Sequence, residues 1–376
     1  MRITIVAGAR PNFMKVAPII HAIERQKSQD KSKKEKGERL KYRLVHTGQH
    51  YDRKLSETFF EELGIPVPDI NLEVGSGTQA EQTAGIMLGF EKELIKNPAD
   101  LVIVVGDVTS TMACSITAKK LNTKVAHIEA GIRSFDLTMP EEINRMVTDS
   151  ITDLFFTTSH FANENLRKAG VPDDHIFFVG NVMIDTLLAN RSRFLKPAIW
   201  DEKGLKDKGY IVITLHRPVN VDEPENLRQL LEAITDATGR LPVIFPVHPR
   251  TRKVINDFSL SVPPSIHLTE PMGYLEFNYL VEKAFAVITD SGGITEETTV
   301  MGVPCMTLRD STERPETCTV GTNELLGTDP AAIKPAMQKL FSGEWKKGGI
   351  PELWDGHAAE RIVEVINKKS GVPKVS

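Results

Sequence analysis

Val287-Ile288-Thr289-Asp290-Ser291-Gly292-Gly293-Ile294-Thr295-Glu296-Glu297 decides how the chain is read. A short apolar run enters a Ser-Gly-Gly turn and a helical pattern follows, as in a buried strand that feeds a helix. The two glycines let backbone N–H groups come close to a ligand. The helix start adds unpaired N–H donors and the positive end of the helix dipole, so Ser291, Gly292 and Gly293 suit a phosphate or pyrophosphate. Glu297 lies one turn into that helix, within reach of a sugar hydroxyl attached to the phosphate. The same turn also serves as a packing device, so its meaning depends on what the other strand ends carry.

Outward from this stretch, short apolar runs alternate with helical patterns almost throughout. Candidate strands are Ile3–Ala7, Tyr42–His46, Ile70–Val74, Leu101–Val105, Val125–Glu129, Leu154–Thr158, Ile176–Val179, Tyr210–Leu215, Val243–Val247, Ile266–Thr269, Phe285–Thr289 and Cys305–Leu308. Near-continuous apolar strands separated by helices predict an α/β protein with parallel sheets covered on both faces. About twelve strands exceed one ordinary open sheet, so two sheets in two domains are expected. The pattern breaks into the polar stretches Arg191–Asp201 and Lys203–Gly209 before a fresh strand begins. The expected division is residues 1–180, residues 181–355, and a final helical stretch in 356–376 that packs back across the junction. Gln26–Arg39 is lysine-rich and reads as a solvated loop or helix extension.

Composition narrows the class further. A chain of 376 residues with 40% hydrophobic and 26% charged residues is ordinary for a globular protein of two domains. A net charge of -4 gives no reason to expect nucleic acid or an anionic membrane as partner. Phosphate binding must therefore be local. The three cysteines, Cys114, Cys305 and Cys318, follow no paired or metal-like spacing and read as reduced thiols of a cytoplasmic protein. The chain enters a strand at once, without a signal-peptide pattern, and no apolar run is long enough to span a bilayer.

In open parallel sheets, ligands bind at the carboxyl ends of the strands. The first strand ends in Gly8-Ala9-Arg10-Pro11-Asn12, and Arg10 and Lys15 suit either a phosphate or a structural salt bridge. Thr47-Gly48-Gln49-His50 follows the second strand. Asp107, after the fourth, is an acid candidate or a helix N-cap. Glu129 ends a strand that should be buried, where a carboxylate needs a partner or a purpose. Glu141 and Arg145, four apart, share a helix face. His216 and His248 end two consecutive strands of the second half, where each could also be structural. Arg314, in Arg309-Asp310-Ser311-Thr312-Glu313-Arg314-Pro315-Glu316, is a further phosphate candidate. No His or Cys spacing supports a metal site. The dinucleotide fingerprint GxGxxG is missing after the first strand, and no P-loop is present, which argues against NAD and against an NTPase.

Taken together, these stretches resemble the non-hydrolysing UDP-N-acetylglucosamine 2-epimerase family. The likeness runs from Gly8-Ala9-Arg10-Pro11 to Arg309–Glu316. It is densest in His127-Ile128-Glu129-Ala130-Gly131-Ile132-Arg133-Ser134-Phe135-Asp136 and in Met139-Pro140-Glu141-Glu142-Ile143-Asn144-Arg145. The resemblance implies the GT-B architecture, two Rossmann-like doubly wound domains with the active site in the cleft between them. It implies reversible conversion of UDP-GlcNAc to UDP-ManNAc without cofactor or metal, by elimination of UDP to a 2-acetamidoglucal and re-addition. By matching positions it implies Asp107, Glu129, Glu141 and His216 as the catalytic set, with Arg145 orienting the carboxylates. Arg10, Lys15, His248, Ser291, Gly292, Gly293 and Arg314 would hold the diphosphate and Glu297 the ribose. Phe277 would neighbour the uracil, or serve as a core residue. Gln49 and His50 match part of a region at which a second UDP-GlcNAc activates some members. Where many relatives read His-Arg-Arg-Glu-Asn, this chain reads His216-Arg217-Pro218-Val219-Asn220. A homodimer, the symmetry default, is expected. The product would supply a cell-surface polysaccharide, and a hydrolysing relative that releases ManNAc and UDP is the alternative activity.

Overall fold

The structure, a computed structural model, describes residues 1–32, 40–48 and 62–369. By internal packing the chain divides into two compact units. One is Met1–Ala189 together with the stretch that begins at Glu352, and the other is Asn190–Pro351.

The first unit holds a seven-stranded parallel sheet. Its strands are β1 Arg2–Ala7, β2 Lys41–His46, β3 Ile70–Asn71, β4 Leu101–Val105, β5 Lys124–Ile128, β6 Leu154–Thr157 and β7 Ile176–Phe178, in the order β3-β2-β1-β4-β5-β6-β7. The central strand β4, Leu-Val-Ile-Val-Val, is buried at every residue, because helices cover both faces of a parallel sheet. One such helix, Gln79–Lys96, is set by a capping box. The Glu81 N–H donates to Thr78 Oγ1 at 3.2 Å and the Thr78 N–H to Glu81 Oε2 at 2.9 Å. Its Ile86, Phe90 and Leu94 join Val6, Val45, Val102 and Val104 in one core cluster.

The second unit holds a six-stranded parallel sheet. It is built from β8 Ile211–Thr214, β9 Val243–Pro246, β10 Ile266–Thr269, β11 Ala286–Thr289, β12 Cys305–Thr307 and β13 Asn323–Leu325, in the order β10-β9-β8-β11-β12-β13. The edge strand β13 was not expected from the sequence. It is three residues long and reads Asn-Glu-Leu, too short and polar to stand out from a loop. Leu227, Leu231 and Ile234 of the helix Pro224–Thr238 pack with Ile211, Ile213, Phe245 and Ile288 in the main cluster of this unit.

The chain returns to the first unit at its end. Trp354 is buried and donates its indole N–H to the Thr158 carbonyl at 3.1 Å. Asp185 caps the helix Ala358–Lys369 by accepting the N–H groups of Ala358 and Ala359 at 3.1 and 2.7 Å. That helix packs on the helix Arg10–Ser32. The lysine-rich segment begins within Arg10–Ser32, and its residues 33–39 lie outside the described ones.

Each sheet has a switch point where the strand order reverses. It falls between β1 and β4 in the first unit and between β8 and β11 in the second. Ligand sites of open α/β sheets form outside the carboxyl ends of the strands at such points.

Candidate active site

At the first switch point a single asparagine ties the two strand ends together. Asn12 Oδ1 accepts the N–H groups of Gly8 and Ala9, both at 3.0 Å, and its Nδ2 donates to the Val105 carbonyl at 3.0 Å. The turn after β1 is thus held open against the end of β4. Arg10 begins the following helix; its side chain lies outside the described residues, as do Gln49 and His50.

Two ion pairs occupy this strand-end surface. Lys15 Nζ lies 2.6 Å from Glu129 Oε2, with both side chains largely buried. Lys15 therefore faces a carboxylate, one of the two partners its position allowed. Glu129 itself has φ +69. A non-glycine residue in the left-handed region costs of order 1–3 kcal/mol and persists where its surroundings over-determine it, commonly at functional sites. Asp107 follows Gly106 and is bound by Arg145, whose Nε and Nη2 donate to Oδ2 at 3.1 and 2.5 Å. Asn144 Nδ2 adds a bond to the Asp107 carbonyl at 2.9 Å. Of the two roles open to Asp107, it is not the N-cap: Val108 is the N-cap of the helix Thr109–Lys120, without a side-chain bond.

The helix Pro140–Ile151 carries the next pair of acids, and the cation four residues after Glu141 turns to Glu142. Arg145 Nη1 donates to Glu142 Oε2 at 2.9 Å, three residues back. Glu142 is 1% exposed and also accepts the N–H groups of Ser134 and Phe135 at 2.9 and 3.2 Å. Glu141 is exposed on the neighbouring face. Its carboxylate is thereby left to solvent or a ligand, while Glu142 does the positioning. Adjacent identical residues at a helix start cannot be told apart until the packing side is known.

At the second switch point the pin is an aspartate. Asp290, fully buried, accepts the N–H groups of His216 and Arg217 at 3.0 and 2.9 Å and Asn220 Nδ2 at 3.1 Å. It also lies 2.8 Å from His216 Nδ1. Burial alone would raise its pKa, but the His216 ring and these donors outweigh that and hold it below the usual carboxylate value. The carboxylate on Nδ1 fixes the ring and leaves Nε2 of the half-exposed His216 to take or give a proton. His248 lies nearby, ring centroids 5.8 Å apart. Its Nδ1 accepts the Arg250 N–H at 3.2 Å and so caps the helix Pro249–Asp257, which leaves Nε2–H as a donor. Burial, then the charges of His216 and Arg250, lower its pKa.

The Ser-Gly-Gly stretch runs straight into the helix Gly292–Met301, whose first two residues are its glycines. Ser291 is its N-cap, with no side-chain cap bond, so the first-turn N–H groups keep their capacity for an anion. Glu297 is buried in this helix beside Tyr274 and Asn278. Its Oε1 has no hydrogen-bond partner among the described residues, and burial pushes its pKa up to about 7. Arg314 pairs with Glu296, and Arg309 forms a two-pronged pair with Glu313 at 2.7 and 2.8 Å. Glu316 is buried near Arg314, and desolvation outweighs that cation to bring its pKa to about 7. Phe277 is partly buried against the core cluster of Tyr210, Val212 and Val287, as Ile294 is. Among the described residues, no three His, Cys, Asp or Glu side chains come together in a metal-binding arrangement, and no helix is long and apolar enough to cross a membrane. The three cysteines are free.

One switch point thus presents carboxylates steadied by cations, and the other a helix start without a side-chain cap beside two histidines and a buried glutamate. The profile of the UDP-N-acetylglucosamine 2-epimerase family matches residues 32–367. The chain belongs to that family. It is 39% identical to UDP-N-acetylglucosamine 2-epimerase of Methanocaldococcus jannaschii, over 97% of this chain and 99% of that one. It is 38% identical to UDP-2,3-diacetamido-2,3-dideoxy-D-glucuronate 2-epimerase of Pseudomonas aeruginosa, over 98% and 100%. The crystal structure of the M. jannaschii UDP-GlcNAc 2-epimerase in complex with UDP-GlcNAc and UDP matches with a TM-score of 0.87 and 38% identity, over 98% of this chain and all of that one. The two Rossmann-like parallel-sheet units have the GT-B architecture of these epimerases. Asn12, Glu142, Asn144, Asp290, Tyr274 and Asn278 were not singled out from the sequence. Only Asp290 carried a signal, as the last residue before the glycine turn.

Proposed function

We propose that the chain epimerises UDP-GlcNAc and UDP-ManNAc at C2 without net hydrolysis. The observation that carries this reading is the pairing of Asp107 with Arg145 and of Glu129 with Lys15 at a switch point. The cations hold both carboxylates in fixed positions, as a positioned acid or base needs. The C2 proton of a sugar is not acidic, so one carboxylate takes it as the C1–O bond to UDP breaks, giving a 2-acetamidoglucal and UDP. UDP then adds back at C1 while a proton arrives at the other face of C2. More than one acid or base is required, and Asp107, Glu129, Glu141 and His216 supply them. Arg145 orients the carboxylates.

The second unit's groups hold the leaving group. The turn Ser291–Gly293, with His248 and Arg314, stabilises the diphosphate as its charge develops, and Arg10 and Lys15 of the first unit are further candidates to meet it. Oε1 of Glu297 takes a ribose hydroxyl, and Phe277 neighbours the uracil. Gln49 and His50 are candidates for binding a second, activating UDP-GlcNAc. We further propose a cytoplasmic homodimer that feeds a cell-surface polysaccharide, with domain limits near 1–180 and 181–355 and a closing helix in 356–376.

The match to the P. aeruginosa enzyme supports a second substrate reading, in which the sugar carries a further acetamido group and a carboxylate. Incubation with each UDP-sugar in deuterated water, followed by proton NMR, tests both. The expected outcome is UDP-ManNAc with deuterium at C2. Free ManNAc and UDP would establish the hydrolysing activity instead. Turnover of the diacetamido-glucuronate alone would move the substrate.

A further inference from the structure

His127, on β5 two residues before Glu129, is 1% exposed and has no part in the reaction as described so far. Its ring bridges two groups. Nδ1 is 2.7 Å from Asp149 Oδ1, and Nε2 is 2.8 Å from the carbonyl oxygen of Gly106. A carbonyl oxygen only accepts, so Nε2 carries a hydrogen. Asp149 also accepts from the Gly131 N–H at 3.1 Å and lies 2.7 Å from Arg133 Nη1. Both of these groups donate to the carboxyl, which marks it as the acceptor of this cluster. Asp149 is then an acceptor as well. With an acceptor at each nitrogen the ring must donate twice, and only the imidazolium has two N–H groups.

The carbonyl that the ring holds belongs to the peptide leading into Asp107. Gly106 has φ +69, and its N–H donates to the Ile128 carbonyl at 3.0 Å. A Cβ on Gly106 would lie 3.2 Å from Lys15 Nζ and 3.7 Å from Glu129 Oε2. The turn that presents Asp107 therefore passes directly over the Lys15–Glu129 pair, and a rotation of its peptide would disturb both carboxylates. Arg145 grips the far end of Asp107, at Oδ2; the His127 bond holds the peptide before it.

We propose that His127 is a positioning residue for the epimerisation: an imidazolium anchored by Asp149 that clamps the Gly106 carbonyl and so sets the turn from which Asp107 and its neighbour Glu129 work. This role rests on the epimerase reading, whereas the protonation of the ring does not. The charged groups facing the ring are Asp149 from the helix Pro140–Ile151 and, through Asp149, Arg133 from the loop after β5.

The first test is long-range proton–nitrogen correlation NMR of the nitrogen-15-labelled wild-type enzyme at about pH 8, above the range where an ordinary histidine is charged. The His127 signals are assigned by their loss in His127→Gln. Both ring nitrogens are expected as N–H, and one bare nitrogen would overturn the imidazolium. The second test is kinetic. His127→Ala is expected to lower kcat about 100-fold, as a displaced catalytic group does, with KM and the Kd for UDP within about twofold. His127→Gln, which keeps a donor for Gly106, is expected to recover part of that loss. Wild-type kcat in both variants would end the positioning role. A wild-type enzyme inert toward UDP-GlcNAc would instead sink the epimerase reading and this role with it, whatever the ring shows.

Discussion

The two switch points share a topology and differ in what they leave available. In the first, the strand ends are crowded with charge that is already matched: Lys15 with Glu129, Arg145 with Asp107 and Glu142, Arg133 with Asp149. In the second, the buried arginines are paired as well. Arg309 and Arg314 pair with Glu313 and Glu296, and the surface is a helix start and two histidine rings. Matched charge suits groups that must keep a fixed position; open N–H groups suit an anion. The same strand order can hold either, because the loops after the strands, and not the sheet, supply the chemistry.

This comparison breaks most visibly if turnover and nucleotide binding do not separate. Asp107→Asn and Glu129→Gln are expected to lower kcat by about 10²–10⁴-fold while the Kd for UDP, by calorimetry, stays within about twofold. Equal loss of UDP affinity would mean that Asp107 and Glu129 themselves hold the nucleotide. In the other direction, Glu297→Ala is expected to weaken UDP about 10–100-fold, the worth of a charge-assisted hydrogen bond. Unchanged titration would remove Glu297 from the nucleotide.

The next effect is on stability and belongs to the second unit. Glu316 has a folded pKa of about 7 against an ordinary 4.5. Between those values the folded state holds more protons than the unfolded chain, so stability falls as pH rises through this window and stays low above it. Glu316→Gln should therefore stabilise the unliganded protein by up to about 3 kcal/mol near pH 8 and by nothing near pH 4, read from denaturant midpoints. Equal curves at both pH values would show that Arg314 keeps the carboxylate charged.

The smallest effect sharpens the contrast between two glycines. Gly106→Ala should cost about 1–2 kcal/mol, from its positive φ and the approach to Lys15. Gly292→Ala, where the nearest atom to a new Cβ is Arg309 Nη1 at 3.8 Å, should leave stability within about 1 kcal/mol. Equal costs would mean that Gly292 is held by packing and not kept for a ligand.

The strands were legible because a parallel sheet buried on both faces needs unbroken apolar runs, as Leu101–Val105 shows. The strand-end residues were legible for the related reason that polar groups at a buried edge stand out. Partner choice was not. Glu141 and Glu142 are adjacent in the sequence, and only the direction of the helix Pro140–Ile151 against the sheet turns Glu142 inward to Arg145. Lys15 and Arg314 suited a phosphate or a carboxylate equally well until their neighbours were known.

What the sequence determined by itself is therefore the alternation of strand and helix, the glycine turn at Ser291–Gly293 and the inventory of acids, bases and cations at the strand ends. These follow from local periodicity and from residue type. The tertiary structure alone decided which charges neutralise one another, that Glu129 takes a left-handed backbone, and that His127 is gripped between Asp149 and Gly106. Each of these depends on groups far apart in the chain, and burial gives such contacts their strength by removing the water that would otherwise screen them.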